Sequence, residues 1–318
     1  TPQKNFNITS PQNMKKKIYI NSMSYLYFSL SNSPKVSKLL YTMSDEEADV
    51  LYEVRDRTAI ITFNIPSKLN ALNGEQYLKL GKFMERANEE EGTVMTLIQS
   101  TGRFFSAGAN FADNGLMDVD PQLLFTHEYW LGKFVARNVW LTNLFNDHKK
   151  ILVAAVNGPS IGLSTGLLML VDLVYVHDLS KFYLLAPFAN LGLVAEGAAS
   201  ATLFARLGWS KASEALLLAK PISGADCYNV GLINKHYDGK FKSTEEFNQQ
   251  VYKEVTDAFE NLHEDSILQN KQLLKLNRDQ YINHANSQEV MRGLGKWLEG
   301  VPQTRFVQLA NKDVKHKI

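Results

Sequence analysis

The apolar positions of this chain fall into short clusters with two different periods, and their alternation predicts the fold class. Leu51 to Val54 and Thr58 to Phe63 alternate as a hairpin does, with Asp56-Arg57 near the turn. Ile151 to Val156 (ILVAAV) is a short β-branched run that reads as a buried strand, and Thr93 to Ser100 (TVMTLIQS) reads as another strand. Asp172 to His177 and Phe182 to Leu185 add two further short strands. Between these, Gly74 to Glu90 carries Tyr77, Leu80, Phe83, Met84 and Ala87 at helical spacing, and Pro121 to Lys150 also reads as helical. Strands that alternate with helices predict an α/β protein with a largely parallel sheet. Beyond residue 196 the pattern turns mostly helical, over Gly197 to Leu207, Lys211 to Leu218, Glu245 to Asn261, Ser266 to Leu276 and Gln288 to Leu298. Ile222 to Lys235 interrupts this region, with Gly231 a candidate helix stop.

Within this pattern one carboxylate stands out. Between Asp178 and Glu196 there is no other acidic residue, and the sequence neighbours of Glu196 are Leu191, Gly192, Leu193, Val194, Ala195, Gly197 and Ala198. Such a side chain is either in water on a loop or buried with a raised pKa. In the second case it can take and return a proton near neutrality, which makes Glu196 the leading general acid/base candidate.

Two turns beside it have a different use. Ile151 to Val156 is broken by Asn157, Gly158 and Pro159, then followed by Gly162 and an apolar run from Leu163. A strand, a glycine turn and a helix start leave free backbone N–H groups at the helix N-terminus, with its dipole behind them. Taken alone, this is also the pattern of an ordinary strand-turn-helix joint. Thr93 to Ser100 runs into a second small-residue turn, Ser106-Ala107-Gly108-Ala109-Asn110-Phe111. Two such turns can aim two N–H groups at one carbonyl oxygen and so form an oxyanion hole. Ser106 and Ser164 lie near the turns, but no base at a fixed spacing supports a serine nucleophile.

The runs GRFFSAGANF, NGPSIGLS and PFANLGLVAEG resemble, in the same order, motifs of the enoyl-CoA hydratase/isomerase (crotonase) superfamily. The resemblance is strongest to the fungal peroxisomal 3-enoyl-CoA to 2-enoyl-CoA isomerases and covers the chain from about Leu51 onward. It implies a spiral of ββα turns followed by a C-terminal helical region. The expected organisation is an extension over residues 1–42, a core over 43–240 and a helical trimerisation region over 241–318. It also implies that the amides of Ala109 and Leu163 form the oxyanion hole and that Glu196 is the catalytic glutamate. The Pro66 to Leu72 loop (PxxxNAL) would border the thioester and pantetheine through Lys68, Leu69 and Ala71. Lys68 approaches a phosphate or is simply solvated. Ala107, Gly108, Asn110 and Phe111 would belong to the substrate-binding turn, with Asn110 where the family usually has aspartate. Asn138, in FVARNV, matches an asparagine near the family's catalytic carboxylate; it orients Glu196 or substrate, or is a helix-surface amide.

The implied reaction moves the double bond of a 3-enoyl-CoA to the trans-2 position in β-oxidation of unsaturated fatty acids. A dienoyl-CoA isomerase or a non-catalytic acyl-CoA-binding subunit are the alternatives. Hydratases of the superfamily use two glutamates, and their places fall here on Gly166 and Phe188, which cannot activate water. No cofactor is expected, since coenzyme A is part of the acyl-CoA substrate. The implied partners are further copies in a homotrimer or dimer of trimers, and a peroxisomal import receptor that reads the basic-aliphatic His316-Lys317-Ile318 terminus.

Composition narrows the picture further. An apolar fraction of 45% and a formal charge of +1 suit a globular protein and argue against nucleic-acid binding. One cysteine, Cys227, excludes an internal disulfide and a thiolate metal cluster. The seven histidines form no ligand pattern, so no metal site is expected. No apolar run approaches membrane-spanning length. Residues 1–42 contain six lysines but no Asp, Glu or Arg, and Met43-Ser44-Asp45 resembles a natural start. The aromatic residues Phe125, Tyr129, Trp130, Phe134, Trp140 and Phe145 suit a core, a subunit interface or the wall of an acyl pocket.

Overall fold

The computed structural model describes residues 49–110 and 119–315. The extension over residues 1–42, Met43-Ser44-Asp45, Phe111 and the tripeptide His316-Lys317-Ile318 lie outside the described residues.

The centre is a six-stranded sheet. Strand β1 (Val50–Arg55) pairs antiparallel with β2 (Thr58–Phe63), and β2 is followed in parallel by β3 (Met95–Ser100), β4 (Ile151–Val156), β6 (Leu173–Val176) and β9 (Lys235–His236). β2 and β4 are buried at every position. That explains the unbroken apolar reading of β4 and corrects the alternating reading of β2, because a strand inside a parallel sheet is covered on both faces. Alternate residues serve two layers. Ile61, Ile98, Leu152 and Ala154 face the main core with Leu80, Met84 and Leu141, while Ile60, Leu97, Val153 and Ala155 pack with Phe247, Val251 and Val255. Helix α1 (Gly74–Glu89) begins in a reciprocal capping box between Asn73 and Gln76, and it buries the apolar stripe read from the sequence.

A smaller sheet stands beside the first. β5 (Ser160–Ile161) pairs in parallel with β7 (Tyr183–Leu185), which pairs antiparallel with β8 (Ile222–Ser223). Helix α3 (Leu163–Leu168) follows β5, and α5 (Gly224–Asn229) follows β8. Gly231 has φ +81°, consistent with its reading as a helix stop.

The helical regions differ from expectation in two places. Pro121 to Lys150 is not one helix. It holds a single 3-10 turn, a helical turn at His127–Trp130, a widened π turn at Leu131–Ala136 and then α2 (Arg137–Asn146). Helix α4 (Ala199–Leu217) is broken at Gly208, as the two separate predicted segments imply. The predicted helices at Ser266 to Leu276 and Gln288 to Leu298 are two ends of one helix, α7 (Glu264–Leu298). The intervening residues carry neither Gly nor Pro to stop it. Much of its buried stripe is polar, with Lys271, Lys275, Asn286 and Glu289 among its members, so a search for apolar periodicity misses the continuity. α6 (Thr244–Phe259) precedes it, and a further helix, α8 (Val301–Ala310), follows Gly300 at φ +74°. The C-terminal helices share the cores of the sheet: Ile282, Val290, Leu294 and Trp297 join the main cluster.

Among the described residues, no helix is long and apolar enough to cross a membrane. No cluster of His, Cys, Asp and Glu there has the makings of a metal site.

Candidate active site

Two turns leave the carboxyl ends of β3 and β4, neighbouring parallel strands in register from Met95↔Ile151 to Ile98↔Ala154. They therefore start side by side, at the end of a parallel sheet where ligands commonly bind. Backbone bonds then lace them together. Ser106 N donates to Pro159 O at 3.2 Å, and Ile161 N donates to Ser106 O at 3.0 Å. Asn157 adds a side-chain pin by donating to Gly102 O at 2.6 Å and accepting from Ser100 Oγ. Gly158 is required at this crossing, since a Cβ there would lie 2.0 Å from Arg103 O.

The lacing fixes the direction of two peptide planes. Gly108, at φ +82°, has its carbonyl taken by Leu72 N at 2.8 Å. A trans peptide sends its N–H opposite to its C=O, so the N–H of Ala109 points away from Leu72. Gly162, at φ +65°, has its carbonyl taken by Thr165 N at 3.0 Å, which turns the Leu163 N–H outward from the start of α3. Neither of these N–H groups donates to a partner among the described residues. Ala109, Leu163 and Glu196 all line one largely apolar cavity of about 490 Å³. Two amides without a partner among the described residues, beside a carboxylate on the wall of the same apolar space, can polarise a carbonyl and move a proton beside it.

Glu196 is buried, with only 8% of its surface exposed. It stands on the turn that leads into α4. Its Oε2 accepts from Asn138 Nδ2 at 3.1 Å, and Asn138 is itself fully buried on α2. Arg137 donates Nε and Nη2 to Asn138 Oδ1 at 3.2 and 3.1 Å, which leaves the amide NH₂ to face Glu196. Burial pushes the Glu196 carboxyl up to about 7. The nearby Arg137 guanidinium and the Asn138 hydrogen bond pull it down, and Glu289 pushes it up. Tyr77, buried on α1, has its hydroxyl raised by burial and carries the Arg137 guanidinium over its ring at 5.3 Å.

The remaining expected residues divide into groups. Leu69 and Ala107 line the cavity with Ala109, Leu163 and Glu196. Ala107 N is tied to Leu69 O at 2.9 Å and Asn110 N to Leu72 O at 2.9 Å, so the PxxxNAL loop and the first turn move as a unit. Gly108 and Asn110 are backbone members of that unit. Lys68 and Ala71 belong to the same loop but not to the cavity wall, and Lys68 is exposed. Asn138 contacts Glu196 rather than the open cavity. Gly166 and Phe188 do not supply carboxylates, and a Cβ at Gly166 would sit 2.5 Å from Glu196 O. Ser106 Oγ is spent on Asn70 O at 2.8 Å, and Ser164 Oγ lies at hydrogen-bond distance from Ser160 Oγ and from Ser106 O.

Several contributors escaped the sequence reading. Asn70, fully buried inside the PxxxNAL motif, accepts from Ile65 N and donates to Thr101 O and Phe104 O, each at 2.8 Å. Arg137 was marked only by its place beside Asn138. Phe306, Leu309 and Ala310 of α8 close one side of the cavity, and nothing in their spacing signals this. Glu289 falls at the start of the predicted helix Gln288 to Leu298, where nothing in the sequence marks it as buried.

Residues 53–303 match the sequence profile of enoyl-CoA hydratase/isomerase, and the chain belongs to that family. It is 39% identical over 272 residues to a 3,2-trans-enoyl-CoA isomerase of Saccharomyces cerevisiae, covering 85% of this chain and 96% of the relative. It is 36% identical to a Delta(3,5)-Delta(2,4)-dienoyl-CoA isomerase of Pyricularia oryzae, covering 84% and 98%. The fold matches the crystal structure of an enoyl-CoA hydratase/isomerase from Mycobacterium paratuberculosis with a TM-score of 0.71, covering 83% of this chain and all of the other, at 22% identity. The fold is thus the crotonase-like α/β spiral with a helical C-terminal region.

Proposed function

We propose that the protein is an enoyl-CoA isomerase that converts a 3-enoyl-CoA into the conjugated trans-2-enoyl-CoA. The observation that supports this reading is that Glu196, Ala109 and Leu163 line one apolar cavity, the last two with backbone N–H groups that have no partner among the described residues. The thioester oxygen lies between the two amides. Glu196 removes a proton from C2, the charge moves onto that oxygen as an enolate, and the same carboxylic acid returns the proton at C4. A carboxyl held near pH 7 is suited to both halves, since it gives up its proton about as readily as it takes one. Leu69 and Ala107 flank the thioester, and Asn138 keeps Glu196 turned toward it.

A dienoyl-CoA isomerisation is the second reading, supported by the relative of that name. It would carry a proton from C2 to C6, a longer path. Glu196 is the one carboxylate among the described cavity-lining residues, which favours the shorter transfer. Addition of water is disfavoured for the same reason.

The resemblance also supports a peroxisomal site of action and assembly as a trimer or dimer of trimers. Exposed Trp209, Leu217 and Leu218 on and beside α4 support assembly. Imaging of a fluorescent fusion and light scattering test these two points.

The deciding experiment follows the absorbance of the conjugated thioester from 3-enoyl-CoA and 3,5-dienoyl-CoA substrates, with crotonyl-CoA and water as a third arm. Turnover is expected to be fastest on the 3-enoyl ester. Preference for the dienoyl ester would install the second reading, and efficient hydration would remove both.

A further inference from the structure

Helix α4 begins without a cap from its own turn. Ala198, at its N-terminal boundary, is in the left-handed region at φ 58° and has no side chain to accept the first N–H groups. The acceptor comes instead from α7. Glu289, with 4% of its surface exposed, accepts from Ser200 N through Oε1 at 2.7 Å, and the N–H groups of Ala198 and Ala199 also face its carboxylate. Oε2 has no partner among the described residues. Ala199 N in turn donates to Glu196 O at 3.3 Å. The turn from Glu196 to Ser200 is thus held at one end by Asn138, through the Glu196 side chain, and at the other by Glu289.

A neutral amide could accept from Ser200 equally well. Burial pushes the Glu289 carboxyl above the usual carboxylate range, an effect that its donors Ser200, Ala198 and Ala199 at the helix N-terminus only partly offset. The position therefore does more than close a helix. We propose that Glu289 is a positioning residue for Glu196: from α7 it clamps the turn on which Glu196 stands and sets a second carboxylate behind the first. The proposal rests on Glu196 being the general base.

The groups that face Glu196 from the packed elements are Arg137 and Asn138 of α2, Tyr77 of α1 and Glu289 of α7. Arg137 and Asn138 favour the ionised form. Glu289 opposes it, as burial does. Together they balance the carboxyl between holding and releasing a proton, which a one-residue shuttle requires.

The test compares Glu289→Gln and Glu289→Ala with wild type. The first keeps the shape and a hydrogen-bond acceptor but removes the charge; the second removes the clamp. Titration of the Glu196 carboxyl is read by infrared difference spectroscopy against Glu196→Gln, which needs no turnover. The expected result for Glu289→Gln is a titration midpoint lowered by about half a pH unit or more, with the acid limb of kcat/KM moving the same way. Glu289→Ala is expected to lose about tenfold or more in kcat, with KM for the CoA ester changed by less than about twofold. An unchanged midpoint in Glu289→Gln overturns the proposal, as does wild-type kcat in Glu289→Ala. Should Glu289→Ala fail to fold, the Glu289→Gln titration still decides. A wild type inactive on every 3-enoyl-CoA would sink the isomerase reading instead, and the infrared midpoint would still report on Glu289.

Discussion

Asn138 Nδ2 meets Glu196 Oε2 at 3.1 Å inside the protein, a helix amide turned onto a carboxylate that no neighbour in sequence could reach. The hydrogen bond favours the charged form of Glu196. Arg137 makes the arrangement one-directional by occupying Asn138 Oδ1. Replacing Asn138 by Ala should therefore raise the pKa of Glu196 and loosen its aim. A hydrogen bond to a charged group is worth about 1.5–3 kcal/mol, so kcat/KM at pH 7 should fall by about 10- to 100-fold. Part of the loss should return at higher pH, which a pH series on the variant checks.

The raised carboxyl has consequences for both rate and stability. In the free enzyme the base must be ionised, so kcat/KM should decline with a single proton below about pH 7. Stability runs the other way. Glu196 has a folded pKa of about 7, above its ordinary 4.5, so the native state holds the extra proton between those values. Its favourable contribution is complete below about pH 4.5 and lost as pH rises through 7. The difference corresponds to as much as about 3 kcal/mol. Glu196→Gln should consequently melt higher than wild type at pH 8, with the gap closing toward pH 4.5, as calorimetry at several pH values would register.

The first oxyanion turn depends on a glycine. Gly108 has φ +82°, and a Cβ there would lie 2.5 Å from Ile161 O on the facing turn. Gly108→Ala should spread the two turns and separate their amides. Losing one oxyanion donor costs about 10²- to 10³-fold in kcat. The fold should survive with a stability loss of about 1–3 kcal/mol. Steady-state rates and thermal melts of the variant measure both effects.

A second carboxylate cannot simply be added to make a hydratase. The Cβ of any residue at position 166 meets Glu196 O at 2.5 Å and Gly197 Cα at 3.2 Å. Gly166→Glu should displace the turn that bears Glu196, lose isomerase activity and gain no water addition. Measuring crotonyl-CoA hydration by this variant tests the point; appreciable hydration would show that the turn has room to give.

Much of this was legible beforehand, and the residues show why. β4 announces itself because burial on both faces demands an unbroken apolar run. The glycines at 108, 158 and 162 mark the turns because no other residue fits a carbonyl at 2.0–2.5 Å or a positive φ of this kind. Glu196 was conspicuous through its apolar company. What stayed hidden depends on tertiary pairing. Arg137 and Glu289 are charged residues on helices, and charged helix positions usually face water; that Arg137 is half-buried and Glu289 buried follows from where α2 and α7 pack. α7 itself was split in two because its inward stripe carries Lys271, Lys275, Asn286 and Glu289. The contribution of α8 to the cavity wall is a long-range contact with no local signature.

The most direct test of the account is the turnover of a 3-enoyl-CoA by Glu196→Gln, measured beside its affinity for the CoA ester. The substitution keeps the volume and an acceptor for Asn138 but removes the basic oxygen. The account predicts a fall in kcat of about 10³-fold or more with CoA-ester binding retained. Turnover within a few-fold of wild type would contradict it, because the proton would then be travelling through another group.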